Sequence, residues 1–340
     1  MRARLLFLLL FSGVLTLFAA VAYHFHGHGF GDRRGTPLPV GVWTPIQISS
    51  SPIPLRPDGA IGTEPRRGKL IFRGGLRLTS DNPAFGGFSG LHLADDGSTL
   101  TALSDRGFWL TAQIAFDERG RLTDLTRPRM APLTDKTGRA LSGVRSDAEG
   151  LHRDHDGFLV SFEREPRVEY HKKDQTGIFR HQRDVADYRE VSALQSNQSL
   201  EGVTRLGDGT LLVSAENTIG EPDVHRLYLD PDTSVDIKRT PPFDITEIAY
   251  HNGDLYFLER HYDRTTGQQI RLSVIDRFDP NIPVLPMPSE LARFDDTDII
   301  DNFEGLTLHT DQGKTHLFII SDDNFSDRQD TLLLHFSLVP

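Results

Sequence analysis

Short apolar runs that follow a turn signal recur along the chain from about residue 90. Before each run stands a dipeptide ending in glycine, such as Asp96-Gly97 or Asn252-Gly253. A tight turn between two apolar runs needs positive φ, so these dipeptides predict β-hairpins. No long stretch has helical periodicity, which favours an all-β fold. The apolar runs are Thr99–Ser104, Phe158–Phe162, Thr210–Ala215, Leu255–Leu258 and His316–Ser321.

A second repeated feature, a pair of residues that usually ends in glycine, precedes each turn. This pair recurs about every 50 residues. Its second positions are residues 90, 150, 202, 248 and 305. A unit of this length with three or four strands is typical of a β-propeller blade. The repeated pairs are Ser89-Gly90, Glu149-Gly150, Glu201-Gly202, Glu247-Ile248 and Glu304-Gly305.

The repeats predict an all-β β-propeller of five or six mostly four-stranded blades. The last unit has room for only about three strands before Pro340. We therefore expect Leu70–Phe72 or Leu76–Leu78 to supply its missing strand, so that strands from both ends of the domain close the ring. A β-sandwich is the alternative, but the regular spacing of turns and acids argues against it.

Two positions in each unit are acidic, where the innermost strand begins and where the next strand ends, except that Ser89 occupies the first position of the first unit. These two points lie side by side in an antiparallel hairpin, so we expect the acids to meet at one mouth of the central channel. Nine carboxylates that close together must be protonated or bind cations, or else accept hydrogen bonds from backbone amides. A ring of oxygen ligands suits Ca²⁺ best, and the predicted metal ligands are Asp105, Glu149, Glu163, Glu201, Glu216, Glu247, Glu259, Glu304 and Asp322.

The residues that follow the second acid of each unit suggest an anionic ligand. Arg106, Arg164 and Arg260 occupy this position in three units and are candidates for binding phosphate or carboxylate. Alternatively, each arginine pairs with an acid of the ring. His261 could transfer a proton near neutral pH, and it is the candidate catalytic residue. Two asparagines near the same positions, Asn217 and Asn324, complete the predicted substrate-binding set.

Composition excludes several other kinds of protein. The 340 residues contain 48 acidic and 37 basic side chains, a formal net charge of −11, which argues against nucleic acid as a partner. With no cysteine, the chain has no disulfide, thiolate nucleophile or iron–sulfur site. We expect a monomer that binds a small anionic or ester substrate.

The N-terminal segment indicates export. Arg2 and Arg4 precede an apolar run that ends at Ala20-Val21-Ala22, so residues 1–22 are a secretory signal peptide or an uncleaved membrane anchor. Either places the protein in the periplasm, or anchored to the inner membrane facing the periplasm, with membrane contact only through an uncleaved segment. Residues 23–68 are predicted to be a flexible linker, with a short histidine tract at its start, and residues 69–340 form the propeller.

Several motifs, spread in order over residues 70–338, resemble the phytase-like domain of exported bacterial proteins, also described as the esterase-like activity of phytase. This resemblance implies a calcium-dependent propeller hydrolase, and the related propeller phytases have six blades. The motifs are Gly74–Leu91, Ser104–Gly107, Ser146–Gly150, Ser199–Gly202, Leu258–Arg260, Asn302–Gly305 and Ser321–Asn324.

Three functions are compatible with these features. The leading one is an exported, Ca²⁺-dependent hydrolase of a phosphate or other ester, with its metal on the ring of carboxylates. The second is a metal-dependent lactonase, for which Asn217 and Asn324 would be suitable. The third is a propeller that binds a ligand or partner without catalysis, with structural calcium.

Overall fold

Nearly all regular structure in the described part of the protein is β-strand. The computed structural model describes residues 38–191, 194, 199–216, 223–282 and 285–339. In these ranges the helical structure is one 3-10 turn, Gly143–Arg145, and no helix is long and apolar enough to cross a membrane. The strands are β1 (Thr44–Pro45), β2 (Ser49–Ile53), β3 (Arg66–Arg67), β4 (Leu70–Thr79), β5 (Phe88–Leu93), β6 (Thr99–Ser104), β7 (Phe108–Phe116), β8 (Leu122–Pro132), β9 (Ala148–Asp154), β10 (Gly157–Phe162), β11 (Arg167–Lys173), β12 (Phe179–Asp187), β13 (Leu200–Arg205), β14 (Leu211–Ala215), β15 (Val224–Asp230), β16 (Thr233–Lys238), β17 (Asp244–His251), β18 (Asp254–Asp263), β19 (Gly267–Ile275), β20 (Ser289–Phe294), β21 (Asn302–Asp311), β22 (Lys314–Asp322) and β23 (Thr331–Leu338).

These strands form five antiparallel blades of a β-propeller, within the predicted range of five or six. Blades 1 to 4 are β5–β8, β9–β12, β13–β16 and β17–β20, each with its first strand innermost. Blade 5 consists of β21, β22 and β23 followed by β4 from the N-terminal side, so strands from both ends close the ring as predicted. Both candidate closing segments, Leu70–Phe72 and Leu76–Leu78, lie within β4. The ring closes with five blades because the described residues before β4 form edge strands and not a further blade.

Three short strands come from the described part of the predicted linker. β1 pairs with the outer edge of blade 1, while β2 and β3 pair with β4 of blade 5. Such additions cover backbone groups that an edge strand would otherwise expose. Residues 1–37, and with them the predicted signal or anchor and the histidine tract, lie outside the described residues.

The innermost strands β5, β9, β13, β17 and β21 contact one another around the ring. Two glycines of the repeat are required by this close approach. A Cβ atom on Gly150 would lie 2.6 Å from the carbonyl oxygen of Glu201, and one on Gly202 would lie 2.4 Å from the amide nitrogen of Ile248. Since real Cβ atoms do not approach backbone this closely, the recurrent glycine allows the inner strands of neighbouring blades to meet.

The predicted hairpin turns are confirmed in blades 4 and 5. Asn252 and Gly253 have φ of 53° and 96°, and Gln312 and Gly313 have φ of 48° and 77°. Each pair forms the two-residue connection between its flanking strands. In blade 2 the connection lies one residue earlier than predicted, because Asp154 pairs with Gly157 and His155 adopts positive φ.

A β-bulge recurs in the innermost strand of every blade and sets the geometry of the channel mouth. In blade 5, Phe303 pairs with Ser321 and Gly305 with Ile320, so Glu304 is the extra residue. A bulge redirects a side chain and interrupts regular pairing, which is why bulges occur beside functional sites. The residues at the bulge position are Ser89, Glu149, Glu201, Thr246 and Glu304.

Candidate metal centre at the channel mouth

The bulge residue of each blade lies close to a residue near the end of the second strand, and in blade 4 that strand continues three residues further. The two positions of each blade therefore lie at the same end of the hairpin. In the strand register that the bulges set, the second-strand residues of blades 1 to 5 at this position are Asp105, Glu163, Glu216, Arg260 and Asp322.

Blade 4 departs from the sequence alignment by one residue, and Glu247 is therefore not a mouth residue. Thr246 takes the bulge position, whereas Glu247 takes the position that is glycine in the other four blades. The Glu247 carboxylate accepts a 2.9 Å hydrogen bond from the Ile248 amide. Burial raises the pKa of Glu247 well above its usual value, while the amides of Ile248, Leu151 and Val203 oppose this. Glu247 joins three blades through their backbone, the alternative role considered for the repeat acids.

Glu259 is likewise displaced from the predicted ring. It pairs with Ile245 before the bulge, so its side chain lies on the other face of β18 from that of Arg260. There it accepts hydrogen bonds of 2.6 and 2.7 Å from Arg271 and one of 2.6 Å from Ser273. Only 1% of Glu259 is exposed, and it belongs to a buried ion pair of blade 4.

The structure brings the acids of blades 2 and 3 closest together and adds Asp147, which the repeat analysis missed. Carboxylate oxygens of Asp147, Glu149 and Glu163 lie within 4.8 Å of one another, and so do those of Glu163, Glu201 and Glu216. Glu163 therefore belongs to both groups. Asp147 lies two residues before Glu149, and the alternation of side chains along a strand is the signal that could have indicated it. These acidic groups could bind a metal ion.

The burial and crowding of these acids raise their pKa values. Burial and the charges of Glu304 and Asp147 raise the pKa of Asp105 to about 7. Burial and neighbouring Asp147 raise the pKa of Glu163 to about 8, and burial raises that of Glu216 to about 7 against the opposing charge of Arg260. Burial, reinforced by other acids, also raises the pKa of Glu149, Glu201 and Asp322 well above the usual range.

Arg260 is the one basic side chain among the ten positions defined by the bulge register. Its guanidinium lies 3.3 Å from Glu304 and 3.8 Å from Glu216, and it donates a hydrogen bond to the side-chain oxygen of Asn302. Because blade 4 is shifted by one residue, Arg260 stands where the other blades have an acid. It thus compensates the acids on its two sides, Glu304 and Glu216.

The other predicted substrate-binding residues have different surroundings. Arg164 pairs with Asp147 at 2.9 Å, as the ion-pair alternative anticipated. The Arg106 guanidinium lies over the Phe325 ring, 3.3 Å from its centroid. Asn217 lies outside the described residues.

An open cleft of ≈ 630 Å³ adjoins the mouth on the side of blades 4 and 5. Arg260, His261 and Asn324 line it together, so three of the predicted site residues share one space. Asn302 and Arg328 add further hydrogen-bond donors. The acid Glu216 belongs both to this cleft and to a carboxylate group, which makes the cleft and the candidate metal centre continuous.

The raised pKa values predict that the metal-free protein loses stability as pH rises from 7 to 9. The folded state keeps protons on Glu163 and its neighbours at pH values where the unfolded chain has released them, so deprotonation favours unfolding. Buried histidines act oppositely below pH 7: burial lowers the pKa of His92 to about 3, and the unfolded chain gains its proton. Above pH 7 the unfolded chain holds few histidine protons, and the carboxylate effect is the larger of the two. We expect Tm to fall by on the order of 5 °C.

Calorimetry in chelator at a series of pH values measures this slope. In the Glu163→Gln variant the slope should be shallower, because one titrating group is lost. A Tm that stays level or rises between pH 7 and 9 would contradict the proposed crowding of protonated acids.

Comparison with known protein families gives one match. The model of the phytase-like family, described as "Esterase-like activity of phytase", matches residues 83–325. A search of curated proteins finds no match. This range includes every mouth acid named above.

Solved structures with a similar shape have low sequence identity. The glutaminyl cyclase of Myxococcus xanthus is 13% identical, with a TM-score of 0.41 over 75% of this chain and 92% of that one. A thermostable family-43 glycoside hydrolase is 11% identical, with a TM-score of 0.42 over 74% of this chain and 89% of that one. Likenesses at this level carry no information about activity.

Proposed function

Because the chain belongs to the phytase-like family, we propose that it is an exported, calcium-dependent hydrolase of a phosphate or other ester. The observation that carries the proposal is the pair of carboxylate groups that share Glu163. Calcium outside the cytoplasm is abundant enough to occupy sites of modest affinity, about 10⁻⁴–10⁻³ M.

The donor set fits calcium by its chemistry. Asp147, Glu149, Glu163, Glu201 and Glu216 offer only carboxylate oxygens, which are hard ligands, and no thiolate or imidazole belongs to either group. Protonated carboxylates with raised pKa values are also those that gain most from a cation, because its charge replaces their protons. We therefore assign these five residues as the ligands, and binding should release protons.

The residues around the metal would bind and orient the substrate. Bound Ca²⁺ would polarise the ester and lower the pKa of a water molecule. Arg260 faces the cleft within reach of the carboxylate groups, so its guanidinium would hold an anionic group of the ester. Asn324 and Asn302 would donate hydrogen bonds, and His261 would transfer the proton to the leaving oxygen.

Turnover by the full chain tests the proposal directly. Phosphomonoesters, carboxyl esters and lactones should be assayed with EDTA and then with excess Ca²⁺. We expect EDTA to abolish turnover of at least one phosphate or carboxyl ester and Ca²⁺ to restore it. Turnover restricted to lactones would support the lactonase alternative. Calcium binding with no turnover of any ester would support the non-enzymatic one.

Arg260→Met should separate the role of Arg260 in substrate binding from its role in the acidic ring. We expect kcat/KM for an anionic ester to fall by about 100-fold, because a charge-assisted contact with the substrate is lost. A neutral ester should change much less, and calcium affinity should not decrease, since an opposing positive charge has been removed. Equal losses on charged and neutral esters would argue against an anion-binding role.

A further inference from the structure

A second cluster of potential metal ligands lies away from the mouth, on the two outer strands of blade 2. On β11 and β12, Glu169 pairs directly with Asp184, and His171 pairs directly with His181. Directly paired residues project from the same face of a sheet, and alternate residues of one strand do so too. The register therefore gathers two carboxylates and two imidazoles on one face.

The side chains of this cluster converge. One ligand atom each of Glu169, His181 and Asp184 lies within 4.8 Å of the other two. The His181 Nε2 atom is 2.9 Å from an Asp184 oxygen, and the His171 Nε2 atom is 3.0 Å from a Glu169 oxygen. A cavity of ≈ 170 Å³ is lined by Glu169, His181 and Asp184 and gives access from solvent.

The buried side of the cluster is held in place by neighbouring groups. Only 4% of Glu169 and none of His171 is exposed. Arg167 donates a 2.7 Å hydrogen bond to one Glu169 oxygen, while His171 contacts the other. Hydrogen bonds of this kind, made to a carboxylate from outside a metal site, orient the ligand. In addition, the buried His171 Nδ1 atom has no hydrogen-bond partner among the described residues.

Two of the arginines around the cavity are paired with acids outside the proposed ligand set. Arg145 lies 3.6 Å from Glu165, and Arg189 pairs with Asp187. The repulsion that a bound cation would meet from these arginines is therefore reduced.

We propose that Glu169, His181 and Asp184 form a site for a borderline divalent cation of the Zn²⁺ class, with Arg167 and His171 orienting Glu169. An imidazole with two carboxylates is a donor set that Zn²⁺ accepts and that Ca²⁺ does not prefer. Three protein ligands leave the fourth position of a tetrahedral ion to water or to a small anion. The site is independent of the oxygen-only groups at the mouth.

The test is Zn²⁺ and Co²⁺ binding to the full chain with its other sites silenced. The histidine tract would also bind zinc, so every protein carries His24→Asn, His26→Asn and His28→Asn. Saturating Ca²⁺ occupies the carboxylate groups at the mouth. Zinc is then titrated by calorimetry, and cobalt by its visible absorption, whose intensity reports tetrahedral coordination.

We expect one Zn²⁺ per chain, a Tm raised by zinc, and at least a roughly 100-fold weaker affinity in His181→Ala. Asp184→Asn should also weaken binding, and because Asp184 is exposed this variant should fold normally. His155→Ala, an exposed histidine of the same blade, should bind zinc like the parent. Unchanged zinc affinity and cobalt absorption in both His181→Ala and Asp184→Asn would overturn the proposal.

Discussion

Replacing Glu163 by glutamine should weaken calcium binding by roughly 100-fold, since both carboxylate groups lose a shared ligand. Glutamine keeps the shape of the side chain but not its charge, and the amide nitrogen cannot coordinate a cation. No other residue belongs to both groups. Calorimetric titration with Ca²⁺ in chelator-treated protein measures the effect, and turnover should fall with it.

The matched control for this variant is Glu165→Gln. Glu165 lies two residues along the chain and pairs with Arg145 at 3.6 Å rather than with the mouth acids. Its replacement should leave calcium affinity unchanged. If Glu163→Gln bound calcium as tightly as the control, the assignment of the two groups at the mouth would be wrong.

Glu259→Gln should cause a large loss of stability without altering the number of calcium ions bound. The substitution leaves the Arg271 guanidinium buried without its full countercharge, and breaking a buried pair in this way typically costs about 3–5 kcal/mol. For a domain of this size we expect Tm to fall by roughly 10 °C. Differential scanning calorimetry and Ca²⁺ titration give the two readouts.

A double variant separates loss of the ion pair from loss of packing. In Glu259→Met with Arg271→Met, both charges are removed and the volume is kept, so much of the lost stability should return. Reduced calcium stoichiometry in Glu259→Gln at temperatures where it is folded would contradict the position of Glu259 away from the mouth.

The difference between Glu163 and Glu259 shows where sequence reasoning worked and where it did not. Both acids end an apolar run and both precede an arginine, so their local sequences are equivalent. In blade 2 the run ends at Phe162 and Glu163 turns into the mouth, whereas β18 continues through Glu259 to Asp263. A shift of one residue moves a side chain to the opposite face of the sheet.

Arg260 illustrates the same effect with a functional consequence. In the sequence repeat, Arg260 follows the second acid of its unit, and the repeat therefore predicts a position outside the ring of acids. The bulge register instead places it in the ring, between Glu304 and Glu216. Asp147 belongs to the carboxylate groups because it lies directly before β9, where its backbone carbonyl accepts a hydrogen bond from the Glu163 amide.

The sequence by itself determined the all-β propeller, its closure by strands from both ends and the acidic character of one mouth. These properties follow from turn dipeptides, apolar runs and repeat spacing, which are local and recur in each blade. Only the tertiary structure decided the number of blades, the positions of Glu247 and Glu259 away from the mouth, and the clustering of acids around Glu163. Those outcomes depend on strand register and on contacts between blades. Both are stabilised by interactions between residues that are far apart in the sequence.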